Sequence, residues 1–457
     1  MASNAGTQVD RHRSYPLVYL YACLLVYLLI GLQYAALTPA WQVPDEPAHY
    51  NYIRSIAGNR ALPVLESGDY NQTLLSQLTS ENFPPEVSIE PLRYESWQPP
   101  LYYLLAAPIF LLFGGALLPL RLFSLALGAG VIIFAYLAAR ELTDDPWLPV
   151  IAAGFIAFIP QHVAMMAGVN NDSLSEFLIA LGLWRILRAN RLGFGSWDLG
   201  FWVWGLGFVI GLAFVTKANA YVLAPVAGVS LLLVWRRSGP RMQPEGARAL
   251  VRSALIIFVP ALLIGSLWWG RNLYVYGWPD FMASIRHEAV VVGQPRTAEW
   301  ISQFGAMEVA RRFAQTTFQS FWGQFGWMGV VMDRRVYLLL MAFSAALTVG
   351  ILLAVVRRPS SVIIRRDGTT LLLVSALLTL ALYLYYNISF VQHQGRYLFP
   401  ALIPMGLAAA VSLWEWGRVI ESVSRQKIGW VIAGAALIGM AALDVFALYR
   451  FIIPALS

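Results

Sequence analysis

Residues 99–118 read PPLYYLLAAPIFLLFGGALL, and the placement of this stretch decides the fold of the chain. It is apolar throughout, yet it opens on Pro99-Pro100, contains Pro108 and breaks at Gly114-Gly115. A helix crossing roughly 30 Å of hydrocarbon needs about 20 predominantly apolar residues, so length alone leaves the stretch undecided. The basic residues resolve it, because Lys and Arg concentrate in cytoplasmic loops. With Arg11 and Arg13 inside, a first helix over residues 15–38 exits and residues 39–98 lie outside. Were 99–118 to cross, Arg236, Arg237, Arg241, Arg248 and Arg252 would face outward, and so would Arg357, Arg358, Arg365 and Arg366. If the stretch instead lies along or dips into the outer leaflet, all of them return inside, with Arg140, Arg188, Arg191, Arg418, Arg425 and Lys427. A re-entrant or interfacial placement is therefore expected. Arg334 and Arg335 then fall outside, at the end of a loop of about 60 residues, a length at which the rule loses force.

Working outward, the other apolar runs give an all-α polytopic membrane protein of about eleven transmembrane helices, at 15–38, 119–140, 147–167, 172–189, 198–216, 219–235, 250–270, 336–356, 369–390, 397–417 and 428–450. Of the 457 residues 58% are hydrophobic and 12% charged, half the charge of an ordinary soluble domain, which carries roughly 25%. The net charge of +7 comes without a basic tail or an aromatic-basic face, so nucleic acid is not an expected partner. The single cysteine, Cys23, lies in the first apolar run and excludes an intrachain disulfide or a thiolate metal cluster. That run is too long for a signal-peptide core and lacks a small-residue cleavage site, so it is expected to stay as an anchor. The expected division is a cytoplasmic segment at 1–14, a transmembrane module at 15–335 with extracytoplasmic loops at 39–118 and 271–335, and further helices at 336–457.

This topology gathers the conspicuous polar residues on the outer side: Asp45-Glu46, Asn170-Asn171-Asp172, Lys217, the loop from Arg271 to Arg335, and Gln392-His393-Gln394-Gly395-Arg396-Tyr397. Adjacent carboxylates at a membrane surface are costly unless they bind a cation, take a proton or pair with Arg. Glu46 and His49, three residues apart, would share one face of a following helix. The competing reading of Asp45 is a helix N-cap ahead of Pro47. Asp172 has the same competitor, with Glu176 in its first turn. Asp144-Asp145-Pro146 falls on the inner side and is expected to cap the next helix. Lys217 stands between two apolar runs with almost no loop, which is expensive for a lone Lys unless it snorkels or has an anionic partner. Arg396 and Arg271 offer bidentate forks to phosphate oxygens, against a reading as interfacial anchors. The segment around Met307–Phe321 is patterned as an amphipathic interfacial helix. The Trp322–Trp327 cluster after it is read first as headgroup-level aromatics and second as a sugar-stacking surface. A lone His393 is read as neither ligand nor acid.

Asp45-Glu46 after the first helix, Trp97-Gln98-Pro99-Pro100-Leu101-Tyr102-Tyr103, and Arg121-Leu122 opening the next helix resemble the C-type glycosyltransferase (GT-C) superfamily. Pro160-Gln161-His162 with Asn170-Asn171-Asp172, then the motifs 320–327 and 394–400, look like a bacterial membrane-protein family within that superfamily. The resemblance implies a GT-C-like fold with interfacial helices in two large extracytoplasmic loops. It further implies an inverting transfer of sugar from a polyprenyl-phosphate donor to a lipid, glycan or protein acceptor, at the outer face of a bacterial-type inner membrane among membrane lipids. Asp45 would be the base or a metal-organising carboxylate and Glu46 its catalytic partner. His49, Trp97, Gln98, Asn171, Asp172, Lys217, Arg271, Arg396 and Tyr397 would bind substrate. Superfamily members differ in metal use; a divalent cation, magnesium or manganese, would take Asp45, Glu46 and His49. The competing classes are a flippase or transporter of lipid-linked sugar, which would place broken polar helices and internal repeats near the midplane, a non-catalytic lipid-binding scaffold, and an outer-face polysaccharide ligase or polymerase.

Overall fold

The computed structural model describes residues 4–192, 199–237, 243–357, 365–425 and 429–456. Arg241, Arg358 and Lys427 of the expected basic clusters, and the first residues of the spans expected at 198 and 428, lie outside them. The described chain is almost wholly helical; its strands are one short antiparallel hairpin, Gln324–Phe325 against Val330–Val331.

Among the described residues a helix lies in each expected span, and eight are long and apolar enough to cross a membrane. The count of about eleven is not confirmed: the eight become nine if a bent pair is one span, and three expected spans depart from a long apolar helix. The run at 147–167 is two helices, Leu148–Ala157 and Pro160–Met166, meeting at 67°, with Pro160 supplying no amide hydrogen at the break. Asp172–Leu192 carries Asp172, Glu176, Arg185, Arg188 and Arg191. Leu199–Phe214 has only 16 residues. The deciding stretch forms the twelve-residue helix Leu101–Leu112, about 18 Å long at 1.5 Å per residue and too short to cross.

Leu117–Leu142 is the central helix, packed on Asp172–Leu192, Leu148–Ala157 and Asn4–Leu37. In lipid, helices associate through close packing, and small residues let backbones approach. Gly128 shows why: a Cβ there would lie 2.1 Å from the Tyr27 hydroxyl. Leu402–Ser424 packs on Leu148–Ala157 and Arg334–Arg357, closing the bundle.

The charged residues divide between the two ends. Helix Asp172–Leu192 spans about 30 Å by its length, with Asp172 at one end and Arg188 and Arg191 at the other. At the latter end Glu141 takes Arg188 and Arg191, Arg237 pairs with Asp367, and Arg365 with Asp144. Arg357 and Arg418 meet on Glu415. Asp145 accepts from the amides of Trp147 and Leu148, as expected of a cap. At the opposite end the two large loops fold together. The first contains Glu46–Asn59, Gln72–Ser80 and Leu101–Leu112; the second contains Ser284–Val290, Thr297–Phe304, Ala306–Trp322 and the hairpin. A small core of Ala48, Leu75, Leu78, Phe83, Leu92, Tyr94 and Val291 joins them, with Trp41 and Trp327 against it.

Candidate active site

Asp45 and Glu46 are adjacent in sequence and opposite in role. Glu46 is fully buried and Arg121, 3% exposed, grips it with both arms, Nε to Oε1 at 2.8 Å and Nη2 to Oε2 at 2.6 Å. Glu46 also accepts from the amides of Trp41 at 3.0 Å and Val169 at 3.1 Å. Arg121 spends its remaining donors on the carbonyls of Ala35, Thr38 and Pro39, the last residues of the first helix and its exit. The Glu46 side chain thus closes the turn that begins at Trp41. Asp45 is pushed outward by that turn in a left-handed conformation, φ 66°, which Asp tolerates better than most residues.

The N-cap reading of Asp45 fails, since its side chain makes no capping bond to helix Glu46–Asn59. Instead Oδ2 accepts from Arg396 Nη2 at 2.9 Å and Oδ1 from the Tyr94 hydroxyl at 3.0 Å, leaving Asp45 28% exposed. Burial would raise its pKa, but the Arg396 charge, His49 and the bonds from Arg396 and Tyr94 hold it below the ordinary carboxylate value.

Asp172 does not cap its helix either. Asn170 Oδ1 does so, accepting from the Ser173 amide at 3.1 Å, which frees Asp172 to bind Lys217 Nζ at 2.7 Å. Asn171 Oδ1 accepts from Lys217 Nζ at 3.0 Å, and its amide donates to Gln98 Oε1 at 3.3 Å. The lone Lys between apolar runs therefore has an anionic partner. Arg396 is set by its turn: Nε donates to Gln394 Oε1 at 2.7 Å, and the Gly395 amide donates to Ser320 Oγ at 2.7 Å. A Cβ on Gly395 would meet the Thr317 carbonyl at 2.3 Å and the Phe321 amide at 2.4 Å, so only glycine lets the turn lie on helix Ala306–Trp322.

These groups surround a cavity of about 630 Å³ lined by Asp45, His49, Trp97, Gln98, Asp172, Lys217, Arg396 and Tyr397 among others, within the range of small-molecule sites. Asn171 stands behind them as a support. Arg271 does not join them: it donates to the Pro63 carbonyl at 2.5 Å and lies over the Trp268 and Tyr276 rings, tying the first loop to helix Gln243–Tyr276. The site also crosses the expected boundary at 335/336, because Arg396 and Tyr397 come from beyond it.

The expected metal set does not converge. Glu46 is turned to Arg121, and His49 Nδ1 is hydrogen-bonded to the Tyr103 hydroxyl at 2.9 Å. Among the described residues no group of three or more His, Cys, Asp or Glu side chains is arranged to hold an ion. Each carboxylate at or near the cavity that pairs at all pairs with a protein cation: Asp45 with Arg396, Asp172 with Lys217, Glu46 with Arg121.

Three aromatic and His expectations resolve differently. Trp322 is 3% exposed and packs in the hydrophobic core, so its ring is not open to lipid headgroups or to a sugar. Trp327 donates Nε1–H to the Trp41 carbonyl at 2.9 Å and lines the cavity. His393 packs edge-on to Trp300 and Phe313, away from the cavity.

The sequence reading passed over Tyr94, Glu95 and His287, all on the cavity wall. Glu95 is raised to about 8 by burial first and by the Asp45 charge second. His49 is pushed down to about 3 by burial, and His287 to about 4 by burial, so both rings are neutral near pH 7. Glu95 stands two residues before Trp97, and that proximity is the one signal that marks it in the sequence.

A family model described as dolichyl-phosphate-mannose-protein mannosyltransferase matches residues 97–264. No curated protein matches by sequence. Among solved structures the chain is similar to the Archaeoglobus fulgidus oligosaccharyltransferase in complex with zinc and sulfate, at 15% identity over 92% of this chain and 52% of that one, TM-score 0.49. It is similar to ArnT from Cupriavidus metallidurans bound to undecaprenyl phosphate, at 16% identity over 97% and 74%, TM-score 0.47. It is also similar to the S. cerevisiae protein O-mannosyltransferase Pmt1-Pmt2 complex bound to the sugar donor, at 17% identity over 57% and 34%, TM-score 0.39. The chain spans about half the length of the archaeal protein it matches. The family match over residues 97–264, with the ordered motifs from Asp45 to Arg396, supports the resemblance of this multi-pass membrane chain to the C-type glycosyltransferase superfamily.

Proposed function

We propose that the protein transfers a sugar from a polyprenyl-phosphate donor to an acceptor hydroxyl or amide on a lipid, glycan or protein, at the outer face of a bacterial-type inner membrane. One observation carries this reading. A single cavity presents a partly exposed, ionised Asp45 together with two cations, Lys217 and Arg396, each already oriented by a carboxylate. Group transfer from a sugar phosphate needs that combination: a base where the acceptor proton leaves, and positive charge where the phosphate departs.

Asp45 takes the acceptor proton as the acceptor atom bonds to the anomeric carbon. The bond from that carbon to the phosphate oxygen breaks, and the oxygen leaves with its electron pair on the polyprenyl phosphate. Attack opposite the leaving group inverts the anomeric centre. Lys217 receives the phosphate charge, with Asp172 and Asn171 as positioning residues. Arg396 holds Asp45 and adds charge to the same wall. Glu46 is a positioning residue: it fixes the turn that presents Asp45. No step is routed through a divalent cation, since the carboxylates are held by Arg and Lys.

A second cavity of about 250 Å³ joins the first through Trp97, Gln98, Lys217, Tyr385, Tyr386 and Tyr397. It runs between helices Ala218–Arg237 and Arg366–Ser389, along Ala218, Thr379, Leu382 and Tyr383. An isoprenoid tail fits its mainly apolar wall, with the phosphate at Lys217.

The test is sugar transfer from labelled polyprenyl-phosphate donors by purified protein in liposomes, wild type beside Asp45→Asn. Turnover with at least one donor is expected, falling about a hundredfold or more in the variant. Equal turnover in the variant would remove Asp45 as the base. Donor binding without transfer by the wild type, with lipid, glycan and peptide acceptors supplied, would favour a lipid-binding scaffold.

A further inference from the structure

Two carboxyls on the cavity wall pair with no protein cation among the described residues: Glu288, which is exposed, and Glu95, which is half-buried. Its Oε2 is buried and has no hydrogen-bond partner among the described residues. A buried acceptor left in that state costs roughly 1–3 kcal/mol, and a carboxylate so placed costs more. Asp45 faces it from the turn before helix Glu46–Asn59, Asp172 from the start of helix Asp172–Leu192, and Lys217 from between two helices. Burial first, then the Asp45 charge with Asp172 adding to it, outweigh Lys217 and the Gln98 side chain and favour the protonated carboxyl, which offers one O–H donor and one acceptor. A hydroxyl group, itself donor and acceptor, is the ligand such a pair matches.

Position narrows the ligand further. In the transfer reading, on which this inference rests, the moving sugar lies between the base Asp45 and the phosphate-binding Lys217. Glu95 feels both of those charges and lines the same wall. We propose that Glu95 is a sugar-binding residue, its unpartnered carboxyl oxygen on the cavity wall holding a hydroxyl of the transferred sugar.

The experiment measures binding to full-length protein in nanodiscs of two kinds of probe, undecaprenyl phosphate alone and its glucosyl, mannosyl and galactosyl esters. Wild-type protein is expected to bind at least one glycosylated lipid more tightly than the bare phosphate. Glu95→Ala should weaken that lipid roughly tenfold and leave the bare phosphate within about threefold. Glu95→Gln, which keeps a neutral donor and acceptor, should stay within about threefold for both. In the wild type the preference for the sugar should decline as pH rises through 8, and in Glu95→Gln it should not. Equal loss of both probes in Glu95→Ala, no loss of either, or an unchanged pH profile in Glu95→Gln would overturn the assignment. A wild-type preference no greater than for bare phosphate would overturn it too. Failure of the wild type to bind any polyprenyl phosphate would instead strike the transfer reading itself.

Discussion

Replacing Glu46 by Gln tests whether the two adjacent carboxylates carry separate duties. The substitution keeps volume and removes one charge. It leaves Arg121, 3% exposed, facing a neutral amide whose NH2 group cannot accept its hydrogen bond. Of the four bonds that Glu46 now receives, two from Arg121 and one each from the Trp41 and Val169 amides, at least one is lost, and the guanidinium is left without a counter-ion. Breaking a buried pair on one side costs about 3–5 kcal/mol because a charge stays uncompensated. That corresponds to roughly two to three and a half orders of magnitude in the folded-to-unfolded ratio. Denaturant titration in mixed micelles, read by tryptophan fluorescence, is the assay. Asp45→Asn is the comparison, and because Asp45 is 28% exposed where Glu46 is fully buried, it should cost less than Glu46→Gln. The double variant Glu46→Leu/Arg121→Met, apolar on both sides, should recover much of the loss. The reasoning is refuted if Glu46→Gln proves no less stable than Asp45→Asn, or if the double variant is worse than the sum of its singles.

His49 stays neutral down to about pH 3 when folded, whereas an unfolded His takes a proton near pH 6.5. The unfolded state then binds more protons in that window, so stability should fall as pH drops from 6.5 toward 3, and His49→Gln should flatten this slope in the same titration. Gly395→Ala puts a Cβ within 2.3 Å of the Thr317 carbonyl; the turn must shift and carry Arg396 from Asp45. Transfer should fall at least tenfold, with the acid limb of kcat/KM moving to higher pH as the Arg396 charge recedes; an unchanged limb would refute the coupling.

The agreement between sequence and structure has a physical basis. Hydropathy and Arg placement are local properties, and the bilayer turns them directly into helices and loops. That is why the Pro- and Gly-broken stretch 99–118 holds only a twelve-residue helix, and why Asp45, Asp172, Lys217 and Arg396 share one end of the bundle. The count of crossing helices was less legible, because a Pro break and interior charges shorten or polarise runs without removing their hydropathy.

What each polar side chain does was decided only by tertiary structure. Asp45 and Glu46 are chemically alike and one residue apart, yet Glu46 meets Arg121 at a separation of 75 residues and Asp45 meets Arg396 at 351. Arg271 and Arg396 read alike as helix-end cations, and packing sends one to a loop carbonyl and the other into the cavity. Glu95 lies in an unremarked polar stretch, and its character comes from the charges folded around it. The sequence by itself determined the membrane class, the helical layers and the end on which polar residues gather, since those follow from composition along the chain. Partners, burial and protonation followed from which helices touch, because charge interactions act over a few ångströms in space and are indifferent to distance along the sequence.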